Sequence, residues 1–125
     1  MENNTQKLVF VVDDNDVNLL MVASLLENEY AVLTMQSAER MFLLLKKKRP
    51  NLILLDVEMP GMNGLDAIGV LKENPEWREI PVLFLTGWED EELSSDALKR
   101  GALAVISKPI EPSLLLDSIK KYSME

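Results

Sequence analysis

The feature that most constrains this chain is a set of short, uninterrupted apolar runs rich in β-branched residues. "LVFVV" (Leu8 to Val12), "YAVLTM" (Tyr30 to Met35), "LILL" (Leu52 to Leu55), "VLFLT" (Val82 to Thr86) and "AVIS" (Ala104 to Ser107) read as five strands. Most are continuously apolar instead of alternating, which marks strands covered on both faces. Helical patterns fill the gaps. Val17, Leu20, Met21 and Leu25 follow helical spacing, and Ser37 can cap a helix carrying Met41, Leu44 and Leu45. Leu65, Ile68 and Leu71 mark a third helix, stopped near Pro75. Leu93, Ala97 and Leu98 mark a fourth, with Gly101 placed for a left-handed C-terminal cap. Leu115, Ile119 and Tyr122 mark a fifth. A βαβαβαβαβα order requires right-handed crossovers and a parallel sheet, so the expectation is an α/β fold occupying all 125 residues as one domain.

Composition narrows the chemistry. Cysteine and histidine are both absent, which excludes disulfides, the usual zinc sites, Ser-His triads and Cys-His pairs. The net charge of −8 argues against non-specific nucleic-acid binding and favours a metal cation or basic partners. No apolar run approaches the roughly 20 residues of a membrane span, and "MENNTQK" is not a signal peptide. A cytoplasmic protein with no membrane association is expected. Two charge runs have ordinary explanations: "KKKR" (Lys46 to Arg49) complements the dipole at the end of the second helix, and "EDEE" (Glu89 to Glu92) does so at the start of the fourth.

The polar residues on the strands are more telling. The first strand ends on Asp13 and Asp14, the third on Asp56, the fourth on Thr86 and the fifth on Lys108. Each lies at a carboxyl end, the edge where open α/β sheets bind ligands. Alone, an acid after a strand is more often a helix cap, and Asp14 could be one. Together the groups form a site. Three crowded carboxylates invite a hard divalent cation with oxygen ligands, hence Mg²⁺. A cation, a lysine and a hydroxyl can clamp a phosphoryl group while a carboxylate attacks it. Asp56, the solitary acid on a central strand, is the expected nucleophile, with Asp13 and Asp14 as the metal pair. A Mg²⁺-dependent phosphohydrolase with an aspartyl nucleophile uses similar parts. It would need a general acid where Glu58 stands, and the chain leaves little room for a substrate cap. A flavin carrier is a third option, although "DDND" would repel a flavin phosphate.

"VFVVDDN", "LILLDVEMPGMNG", "VLFLTG" and "AVISKPIEP", in this order and spacing, resemble the receiver domain of two-component response regulators, chemotaxis receivers included. The resemblance runs from about Lys7 to Tyr122. It implies a flavodoxin-like doubly wound (βα)5 fold with strand order 2-1-3-4-5. It implies that Asp56 accepts the phosphoryl group, that Asp13, Asp14 and Asp56 hold Mg²⁺, and that Glu58 adds its main-chain carbonyl. By the same resemblance Thr86 is the switch hydroxyl, Lys108 contacts a phosphoryl oxygen, and the Lys108-Pro109 bond is of a kind often cis. The implied partners are a sensor histidine kinase or phosphotransfer protein and an output protein or domain. The implied switching surface is the fourth helix, fifth strand and fifth helix. Such a chain is a switch and not a turnover enzyme. Val105 departs from the family's usual inward-swinging aromatic. Trp88, two residues after Thr86, is expected with Glu58 to hinder water and slow dephosphorylation. "DDNDVNLLMVASLL" looks like the first-helix entry of hybrid-kinase receivers.

Overall fold

The computed structural model describes residues 6–87 and 91–123. Along them run β1 (Leu8–Val12), α1 (Asp16–Leu26), β2 (Ala31–Met35), α2 (Ala38–Leu45), β3 (Leu52–Asp56), α3 (Gly64–Glu73), β4 (Val82–Thr86), α4 (Glu91–Lys99), β5 (Ala104–Ser107) and α5 (Pro112–Tyr122). The strands form one sheet in the order β2-β1-β3-β4-β5, every pairing parallel. This is the flavodoxin-like order expected above. No described helix is long and apolar enough to cross a membrane.

Strand pleating sorts the core into two layers, because successive side chains point to opposite faces. Phe10, Val12, Ile53, Leu55, Val82 and Phe84 pack under α2, α3 and α4. Val9, Val11, Leu52, Leu54, Leu83 and Leu85 pack under α1 and α5. β3 and β4 are buried along their whole length, whereas β2, at the sheet edge, is mostly half-buried. Continuous apolarity thus follows position in the sheet.

The helices begin where polar side chains satisfy their free N–H groups. Ser37 accepts from the Arg40 amide, and Asn63 from that of Asp66. Glu111 accepts from Ser113 and Leu114, with Pro112 opening α5. The cap of α1 is Asn15, which accepts from the Asn18 amide, and not Asp14. Gly101 has φ +116° and lets the chain leave α4.

One expectation needs correction. In α1 the core stripe is Leu19, Val22 and Leu26, while Val17 and Leu20 are more than two-thirds exposed and Met21 is exposed too. The helix is apolar all round, so spacing alone could not choose its buried face. The cations Lys46 to Arg49 stand at the C-terminal end of α2, as expected, with Lys46 as its cap residue. Trp88, Glu89 and Asp90 lie outside the described residues.

Candidate functional site

At the carboxyl edge of the sheet a cleft of about 850 Å³ is lined by Asp13, Asp14, Asp56, Glu58 and Lys108, among others. Strand parity explains why three of these meet. Asp56 pairs in register with Leu85, which lies beside Ile106. Lys108 is two residues beyond Ile106, and Asp13 two beyond Val11, both residues of the α1/α5 layer. Asp13, Asp56 and Lys108 therefore leave the sheet on the same side. Thr86 has the parity of Phe84 and is 1% exposed. Its carbonyl accepts from the Lys108 amide at 2.7 Å.

Lys108 joins the two strands that carry acids. Its Nζ lies 3.0 Å from Asp13 Oδ2 and 3.2 Å from Asp56 Oδ1. Asp13 is held by two further donors: the Asn15 amide reaches Oδ1 at 3.0 Å, and Asn18 Nδ2 reaches Oδ2 at 3.3 Å. The two carboxylates are almost wholly buried, Asp13 at 1% exposure and Asp56 at 4%, while Asp14 and Glu58 are exposed.

This setting perturbs the titrating groups. Burial, and secondarily the charge of Asp13, raise the pKa of Asp56 from 3.8 to about 6; the Lys108 ammonium and the Glu58 amide only partly offset them. For Lys108, burial pushes the pKa down. The hydrogen bond to Asp13 and the charges of Asp56 and Asp13 together outweigh it, leaving the ammonium above its ordinary value.

Carboxylate oxygens of Asp13, Asp14 and Asp56 come within 4.8 Å of one another. Four acids, Asp13, Asp14, Asp56 and Glu58, share the cleft with one ammonium, so negative charge remains uncompensated. An all-oxygen, surplus-negative and partly open donor set fits a hard divalent cation such as Mg²⁺.

The turn that follows Asp56 shapes the cleft. The Gly64 amide donates to the Val57 carbonyl at 2.8 Å, closing residues 57–64 into a compact loop. Gly61 adopts φ +75°, which glycine tolerates. A Cβ on Gly64 would fall 2.5 Å from the Asp56 carbonyl oxygen and 2.9 Å from Val57 Cα. The Lys108-Pro109 bond is cis, and Val105 is half-buried against the α2–α4 layer.

The sequence reading brought Asp13, Asp14, Asp56, Glu58 and Lys108 to this cleft but missed Asn15 and Asn18, which also line it. The signal was present in "DDNDVN": an Asn capping a helix beside an Asp leaves a second Asn, one turn on, facing the same carboxylate.

A family model described as the response regulator receiver domain matches residues 9–120. The polar-differentiation response regulator DivK of Brucella anthropi is 32% identical over 117 residues, covering 93% of this chain and 95% of that one. The chemotaxis response regulator CheY4 of Vibrio cholerae superposes with a TM-score of 0.88 at 27% identity, covering 94% and 99% of the two chains. The signal receiver domain of a signal transduction histidine kinase from Syntrophus aciditrophicus superposes at 0.85 and 29% identity, covering 93% and 89%.

Proposed function

This chain belongs to the response regulator receiver domain family, and from that premise we propose that Asp56 accepts a phosphoryl group from a partner kinase or phosphotransfer protein. The donor is a phosphohistidine, and the histidine comes from the partner because this chain has none. One observation carries the reading: Lys108 bridges buried Asp13 and buried Asp56 across neighbouring strands, beside an open cleft. An oxygen of Asp56 attacks phosphorus. The O–P bond forms as the P–N bond breaks, and the imidazole leaves with the bonding pair and takes up a proton.

The residues divide the work. Asp13, Asp14 and Asp56, with the Glu58 main-chain carbonyl, would hold Mg²⁺. Bound there, the cation supplies charge neutralisation for the phosphoryl oxygens. Lys108, already 3.2 Å from Asp56, follows the new negative charge and pairs with a phosphoryl oxygen. Thr86 turns its hydroxyl toward the phosphoryl group. The accompanying backbone shift at the ends of β4 and β5 changes the surface of α4, β5 and α5, and an output partner reads it. With Val105 at the usual aromatic position, the backbone of β5 carries this coupling without a swinging ring. The whole 125-residue chain acts as one receiver switch, with only self-phosphotransfer and autodephosphorylation as its chemistry.

The test is direct. Incubation with Mg²⁺ and a small acyl phosphate should add one phosphoryl mass to the peptide carrying Asp56. Asp56→Ala should abolish that gain; a modification surviving the substitution overturns the assignment.

A further inference from the structure

The opposite edge of the sheet holds a second pocket that phosphoryl transfer does not use. It has a volume of about 360 Å³ and is lined by Leu45, the run Lys46–Arg49, Glu76 and Trp77. The run follows the end of α2, where the Lys47 and Lys48 amides both donate to the Leu44 carbonyl and turn the chain toward β3. All four cations are exposed. Among the described residues, none of Lys46, Lys47 or Lys48 reaches a carboxylate within ion-pair distance, and Arg49 donates to the Glu76 carbonyl. Four adjacent like charges, with Glu76 as the one acid on the rim, leave a local positive field on a chain of net charge −8.

The aromatic residue of the lining, Trp77, is firmly held. The Trp77 indole stacks on Phe42 of α2, with ring centroids 5.6 Å apart and 27° between planes. Its loop is braced by Asn74, whose side chain accepts from the Glu76 amide at 2.8 Å and whose carbonyl accepts from Trp77 and Arg78. Lys72 Nζ donates to the Arg78 carbonyl at 3.0 Å from the other side. This aromatic part of the pocket is already braced and loses little entropy on binding. Its volume is at the lower end of small-molecule sites, too small for an extended polyanion.

We propose that this pocket binds a nucleotide, with the base against Trp77 and the phosphates among Lys46 to Arg49. Neither feature suffices alone: the cations select phosphate, and the fixed aromatic wall selects a flat ring. The pocket lies across the sheet from Asp56, so the proposal stands independently of the phosphoacceptor reading.

Calorimetric titrations of the full chain in EDTA, without Mg²⁺, should use ATP, tripolyphosphate and adenosine as probes. ATP should saturate at one site. Tripolyphosphate should bind at least 5-fold more weakly, and adenosine without measurable heat. Lys47→Gln with Lys48→Gln should weaken ATP at least 10-fold while the circular dichroism spectrum is unchanged. Trp77→Leu should erase the advantage of ATP over tripolyphosphate. No ATP binding, equal binding of ATP and tripolyphosphate, or full affinity after loss of the two lysines overturns the proposal.

Discussion

The two edges of this sheet carry charge in opposite ways. At the carboxyl edge Asp13 and Asp56 are buried, mutually repelling, and tied to a single ammonium. At the amino edge Lys46, Lys47 and Lys48 are consecutive in sequence and repel one another, but they stand in water. Water screens the second set, so its charges cost little. Burial denies that relief to the first set and raises the pKa of Asp56 from 3.8 to about 6. Reactivity is therefore expected at the edge where charge is confined, and only binding where it is exposed.

The sharpest way to break this contrast is to remove the confined ammonium. Lys108→Ala should lower the rate of phosphoryl transfer from a small acyl phosphate by about 10²–10³-fold, measured by single-turnover mass spectrometry. It should also cost about 2–3 kcal/mol in urea denaturation, since two buried carboxylates lose a charged hydrogen bond. Gly64→Ala probes the rigid support of the same edge. Its Cβ would meet backbone atoms that cannot yield, so a loss of about 3 kcal/mol is expected, with slower phosphorylation because Asp56 is displaced.

Removing the confined negative charge should have the opposite sign. Asp56 holds its proton more tightly folded than unfolded, so its ionisation opposes folding. The stability it contributes is complete below about pH 4 and is lost as pH rises through about 6. Asp56→Asn should therefore stabilise the metal-free protein by about 1–3 kcal/mol at pH 7, an advantage that shrinks as pH falls from 6 toward 4. Equal stabilisation at both pH values would show that the carboxylate charge is not the cause. At the other edge, Lys47→Gln with Lys48→Gln should change stability by no more than about 0.5 kcal/mol. A change several times larger in the same denaturation experiment would erase the distinction between the two edges.

Much of this was legible before any coordinates. The strands at the centre of the sheet announced themselves because residues covered on both faces have no reason to alternate; β3 and β4 are the clearest cases. The acids and the lysine were legible because they interrupt apolar runs at the same end of successive strands. What failed was the face of α1. Leu19, Val22 and Leu26 are buried while Val17, Leu20 and Met21 are exposed, and in a helix apolar all round either stripe satisfies the pattern. Asn18 was overlooked for a related reason: its role depends on Asn15, not Asp14, capping the helix.

The sequence by itself determined the element order, the parallel sheet and the set of polar groups at its carboxyl edge, because hydrophobic periodicity and residue type are local properties. Only the tertiary structure decided how those groups relate. Strand register aligns Asp56 with Leu85 and Ile106, and the pleat sends Asp13, Asp56 and Lys108 to one side and Thr86 to the other. Packing then removes water from Asp13 and Asp56 but not from Asp14. Register and desolvation arise between segments distant in the chain, and no local pattern encodes them.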